Sequence, residues 1–147
     1  MKLKNIIFCG CGERWQDLSP LILRFITGLA FIMHGWMKYP NIEGFTGFLT
    51  SMNVPMAAFF GPFIVYLEIV GGGLLIVGLL THWVSKLLAI NMLVAVALVH
   101  WKNGFFVQDG GYELALLLLA MSLSLMITGA GRWSLDHLLL KKTPEHM

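Results

Sequence analysis

Four apolar stretches, each near twenty residues long, constrain this chain more than anything else in it. They run from about 18 to 38, 55 to 80, 83 to 101 and 111 to 128. A helix crossing about 30 Å of hydrocarbon needs roughly 20 mostly apolar residues. In lipid each segment must also satisfy its own backbone polar groups, which a helix does alone. The stretches are rich in Leu, Met and Ala and lack the alternation of a half-buried strand. The expected fold class is therefore all-α: a polytopic membrane protein, an antiparallel bundle of four transmembrane helices forming one domain over residues 1–147.

Composition supports this. Hydrophobic residues make up 57% of the chain and charged residues 12%, against about 45–50% and about 25% in an ordinary soluble domain. That leaves too little polar material to cover a soluble globule, so the lipid bilayer is the first expected partner. The net charge is only +2 and the basic residues are scattered, which argues against a nucleic-acid partner. The apolar run after Lys4 is too short for a signal peptide, and Glu13, Arg14 and Asp17 follow at once. No removed segment is expected.

Basic residues orient the spans. With four crossings, Lys2, Lys4, Arg14, Lys86, Arg132, Lys141 and Lys142 share one side, and Lys38 and Lys102 take the other. Both ends are thus expected in the cytoplasm of a bacterial-type inner membrane. Indole rings prefer the membrane interface. Trp15, Trp83 and Trp133 fall at the inner edges of the spans, and Trp36 and Trp101 at the outer ones.

The connections differ in kind. Thr81-His82 leaves only a tight turn, so the second and third spans must be antiparallel neighbours. Residues 39–54 carry Phe45, Phe48, Leu49 and Met52 at helical spacing, which predicts a short amphipathic helix at the outer interface. Residues 102–110 mix turn formers with Phe105 and Phe106 and are expected to fold back on the bundle.

Ionisable groups inside a span are costly and face protein or water, so each is a site candidate. Arg24 lies about a turn and a half inside the first span, where it either snorkels to phosphates or forms an ion pair. Glu68 lies mid-span before Gly71, Gly72 and Gly73. A carboxylate there must be protonated, paired or wet, and the glycines allow a second helix to come close. Counted along the spans, Glu68 lies about 9 Å beyond Arg24. The expected intramembrane polar pair is Arg24 with Glu68, Asn91 being the other candidate partner. Asn91 otherwise reads as an interhelical hydrogen bond that holds the bundle together.

A denser set marks the outer end. His34 and Lys38 share a face of the first span; His100, Lys102 and Asn103 end the third; Gln108, Asp109, Tyr112 and Glu113 begin the fourth. His34, His100 and Glu113 come out at similar depth on three spans. The candidate ligand site is therefore His34, Lys38, His100, Asn103 and Glu113, and no catalytic residue or metal site is assigned. Cys9 and Cys11 precede the first span; two thiols alone under-fill a metal site.

These residues also carry a resemblance. Leu23-Arg24 with Gly28, His34-Gly35-x-x-Lys38, Glu68-x-x-Gly71-Gly72, the run from Asn91-Met92 to His100, Asn103-Gly104-Phe105-Phe106, Gly110-Gly111-Tyr112 before Glu113, and Gly129-Ala130-Gly131-Arg132-Trp133-Ser134-Leu135-Asp136 succeed one another around the four spans. Their order and spacing from Leu18 to His137 resemble the DoxX family of small membrane proteins. The resemblance implies a four-helix membrane bundle. Some members are associated with quinone-linked oxidation of sulfur compounds, others with resistance to quinones or thiol stress. It carries nothing onto Cys9 and Cys11.

Four functions compete. A quinone-linked redox protein would hold a membrane quinone with His34, His100 and Glu113, Lys38 polarising an oxygen and Phe105 and Phe106 covering the ring. A His beside a carboxylate can relay protons near neutral pH. No flavin, iron–sulfur or molybdenum site is evident, so electrons would need a redox partner protein or a direct donor. The alternatives are a non-catalytic scaffold, a transporter component using Glu68, which would need a homo-oligomer, and haem between His34 and His100.

Overall fold

The computed structural model describes residues 18–141, whose regular elements are all helical, with no strand among them. Cys9, Cys11, Trp15 and the basic residues Lys2, Lys4, Arg14 and Lys142 lie outside the described residues. The helices are α1 (Leu18–Lys38), α2 (Ile42–Ser51), α3 (Ala57–Val77), α4 (Thr81–Val94), α5 (Glu113–Thr128) and α6 (Leu135–Lys141). Three stretches are long and apolar enough to cross a membrane: Leu18–Ser51, Ala57–Val77 and Thr81–Asn103. The fourth expected span is helical only over α5, 16 residues, or about 24 Å at the α-helical rise. Gly111 and Tyr112, predicted inside it, belong to the preceding turn.

Local chemistry sets the boundaries. Pro40 stands in a 3₁₀ turn, Tyr39–Asn41, that bends the chain out of α1. Asn41 then caps α2, its side-chain oxygen accepting from the Gly44 N–H at 2.9 Å. Between α3 and α4 the chain reverses at Gly78, whose φ of +71° suits a residue without Cβ. There the Gly78 N–H donates to the Leu75 carbonyl and the Leu79 N–H to the Leu74 carbonyl, the paired bonds of a Schellman stop. The tight turn joins the two helices as expected, but at residues 78–80; Thr81 and His82, predicted to form it, open α4. Beyond Val94 the third span continues as a π-helical turn, Ala95–His100.

Helices α1 and α3 lie unusually close. A Cβ on Gly28 would stand 2.5 Å from the Gly72 carbonyl oxygen, and one on Gly35 would stand 3.0 Å from Glu68 Cβ. Small residues permit such approach in membrane helices. Gly35, level with Glu68, comes eleven residues after Arg24, which puts Arg24 about 16 Å below Glu68 along the axis. Helix α2 forms where the amphipathic pattern predicts. It packs on α3, with Thr46 against Gly61.

The core runs through all four long elements, from Phe31 and Leu75 to Leu88, Met92, Leu118 and Leu125. Yet Arg24, Thr27, Glu68, Thr81, Ser85 and Ser122 are buried too, while Phe25, Met33, Val70, Ile90, Leu117 and Ile127 are exposed. Burying charge while displaying large apolar side chains is unfavourable in water and expected in lipid.

Candidate functional site

Glu68 organises the site. Its side chain is 1% exposed and holds Lys38 in a salt bridge at 2.5 Å, with the second carboxylate oxygen 2.7 Å from the same ammonium. The Asn91 amide donates to Glu68 Oε1 at 3.2 Å. Three helices thus meet on one carboxylate. The Arg24–Glu68 pair expected from the sequence is not formed: the cation is Lys38. The register of the Gly28–Gly72 contact keeps Arg24 about three turns, or about 16 Å, away, beyond the reach of a guanidinium.

Arg24 is fully buried and serves the opposite end. Its Nη2 donates to the Trp133 carbonyl at 2.6 Å, and its Nη1 faces the Leu75 carbonyl at 3.5 Å. Asp136 completes this lock by accepting from the Leu80 and Thr81 N–H groups at 2.7 and 2.9 Å. It caps α4 from a distant part of the chain. The 129–136 motif is therefore a clasp between α1, the 78–80 turn and the C-terminal segment, a role no local pattern announced.

A chamber of about 430 Å³ opens beside the Lys38–Glu68 pair, within the usual range for small-molecule pockets of about 300–1,000 Å³. His34, Lys38, Glu68, Asn91 and His100 supply its polar side chains. Phe45, Phe48 and Leu49 of α2 form one apolar wall, and Ala95 and Val99 of the π-helical turn form another. Such turns recur at functional sites. Val107, Gly110 and Gly111 close the outer side.

Donor arithmetic shows what this arrangement offers. An ammonium has three N–H groups and an amide two. Lys38 directs two donors to Glu68 and Asn91 directs one, so each retains an N–H. His100 Nδ1 lies 2.7 Å from the Gly110 carbonyl. A carbonyl only accepts, so Nδ1 carries the proton there and Nε2 of the neutral ring is an acceptor. His34 lies one turn before Lys38 and within electrostatic reach of both Lys38 and Glu68.

Two expected site residues stand elsewhere. Asn103 does not line the chamber; its amide donates to the Gly110 carbonyl at 3.1 Å. Glu113 also lies off the wall, accepting from the Val107 N–H at 3.1 Å. Both hold the 104–112 loop folded back, with the Tyr112 N–H donating to the Gly104 carbonyl. Phe105 packs edge-on against Tyr112, and Phe106 is exposed. The aromatic cover comes instead from Phe45 and Phe48. Their helical spacing with Leu49 and Met52 was the available signal, but it reads equally well as a face for the membrane interface.

Comparison with known proteins agrees with this architecture. The DoxX family profile matches residues 19–101. A Bacillus subtilis protein named "Putative oxidoreductase CatD" is 34% identical over 125 residues, 85% of this chain and 90% of that protein. The Escherichia coli "Inner membrane protein YqjF" is 30% identical over 130 residues, covering 88% of this chain and 98% of its own. "Uncharacterized membrane protein Rv3486" of Mycobacterium tuberculosis is 33% identical over 136 residues, 84% of this chain and 83% of that one. No solved structure matches the chain. With its long apolar helices, its buried charges and these relatives, the chain is a multi-pass membrane protein belonging to the DoxX family.

Proposed function

We propose that this protein binds the head group of a membrane quinone in the Lys38–Glu68 chamber and works in quinone-linked redox chemistry of thiols or other reduced sulfur compounds. The observation that carries the reading is the chamber itself. It is an apolar cavity reached by a few convergent polar groups, two with spare donors and one with a spare acceptor. A quinone presents two carbonyl oxygens that become hydroxyls on reduction. Lys38 and Asn91 donate to one oxygen, and His34 and His100 exchange protons at the other. With a thiol donor, two RSH form one RSSR and give up two electrons and two protons, which convert the quinone to the quinol. Electrons come directly from that donor or through a redox partner protein. The name of the Bacillus subtilis relative supports an oxidoreductase.

In this reading the chain crosses the inner membrane four times as an antiparallel bundle, both ends cytoplasmic, α5 being the short crossing. The inward turn of Lys38 onto Glu68 leaves Lys102 as the outer-side cation in that topology, which sharpens the charge asymmetry.

The test is calorimetric binding of a quinone without a side chain to protein in nanodiscs. Asn91→Leu and His100→Phe are expected to weaken binding by roughly tenfold each, the scale of one hydrogen bond at a buried polar group. Unchanged affinity in both folded variants contradicts the proposal. A scaffold without a ligand site predicts no saturable binding at all.

A further inference from the structure

Near their connecting turn α3 and α4 touch, Gly71 lying against Val84 and Leu88. Farther out they splay. A second cavity of about 410 Å³ lies between them, with Phe63, Ile90 and Leu98 among its walls, and Asn91 is its single polar side chain. It shares Val54, Ile64, Asn91 and Val94 with the chamber. Phe63, Ile90 and Leu98 are 41%, 51% and 46% exposed on the face that meets lipid.

We propose that this crevice is a lateral portal and seats the linear apolar tail of the same ligand whose head group occupies the chamber. The inference rests on the quinone-site reading and adds to it the ligand's shape and route of entry. Two adjoining spaces that share Asn91, one reached by several polar side chains and the other lined almost wholly by apolar ones, match an amphiphile with a compact polar head and a chain of apolar carbons. The competing occupant is an acyl chain of a bilayer phospholipid, and charge decides against it. Lys38 is neutralised by Glu68 at 2.5 Å, so the pair offers a phosphate no net positive charge. A neutral head that accepts one hydrogen bond from the ammonium and another from the Asn91 amide suits the junction better.

Two quinones with the same head, one without a side chain and one with a ten-carbon tail, are titrated into nanodiscs carrying wild-type protein, Ile90→Trp or Leu98→Trp. Both positions face lipid and touch neither ion pair nor core, so a larger ring there fills the groove without breaking the fold. Affinities are expressed per lipid, and the comparison between proteins cancels partition of the tail into the bilayer. The wild type is expected to prefer the tailed ligand by roughly tenfold beyond partition, a gain that comes from close packing in the groove because the tail leaves lipid and not water. Both variants are expected to lose that preference while binding the tailless quinone as the wild type does. A preference retained in both variants, or absent from the wild type, overturns the portal. Failure of the tailless quinone to bind the wild type overturns the head-group reading together with it, whereas tailless binding without tail preference removes the portal alone.

Discussion

Glu68 is almost wholly buried and Lys38 only partly so, with side-chain exposures of 1% and 27%. Removing one partner of such a pair strands the other charge, which costs about 3–5 kcal/mol, whereas replacing both by apolar side chains of similar size is often neutral or better. Lys38→Met is therefore expected to lower stability by about 3 kcal/mol, and Lys38→Met with Glu68→Leu to recover most of it, both read from thermal unfolding in lipid. Equal losses in single and double variants would contradict the pairing. Arg24 makes a second prediction. Lysine lacks the planar fork that reaches the Trp133 and Leu75 carbonyls, so Arg24→Lys should release the C-terminal clasp. Amides around residues 133–138 should then exchange faster while those of α5 stay protected. That Glu68 could not sit as a bare charge in lipid was legible in the sequence, since a mid-span carboxylate must be protonated, paired or wet. Which cation it takes was not legible. The choice depends on helix register, which sets Gly35 against Glu68 and so brings Lys38, three residues on, within reach.

Between elements, the Gly71–Gly73 run separates contact from composition. Gly72 faces α1, and a Cβ there would stand 2.5 Å from the Gly28 carbonyl oxygen, whereas a Cβ on Gly73 meets nothing. Gly72→Val should force α1 and α3 apart, at a cost of about 1–3 kcal/mol. Gly73→Ala should be neutral or stabilising by up to about 1 kcal/mol. Melting temperatures of the two variants, measured side by side, check this; a Gly72→Val protein as stable as the wild type would remove the close-packed interface. Existence and order of the long helices followed from apolar length alone. The π-helical turn at 95–100 left no mark, since Val94, Val96 and Val99 suit an ordinary helix interior in lipid as well. Nor did the shortness of α5, because only Glu113 separates Gly111 and Tyr112 from its apolar run. The roles of Asn103 and Glu113 were hidden for a related reason. Polar residues at a span end look alike whether they face a ligand or hold a loop, and only the folded path of 104–112 separates the two.

The molecule as a whole is organised with charge inside and hydrocarbon outside, and its proposed topology puts the clasp and both termini in the cytoplasm and the chamber toward the outer face. With Cys9 and Cys11 replaced, a single cysteine at Lys102 should react with an impermeant maleimide in intact spheroplasts. Cysteines at Lys86 or Thr143 should react only after the membrane is opened. Labelling of residue 102 and residue 143 from the same side would contradict the four-crossing arrangement. The central claim is that the Lys38–Glu68 chamber receives a quinone, and the most direct test is to locate one. A photoreactive quinone cross-linked in nanodiscs is predicted to attach to peptides containing residues 34–38, 45–49 and 91–100, and an excess of unlabelled quinone should compete it away. Attachment confined to the clasp at 129–139, or scattered over lipid-facing residues and indifferent to competitor, would contradict it.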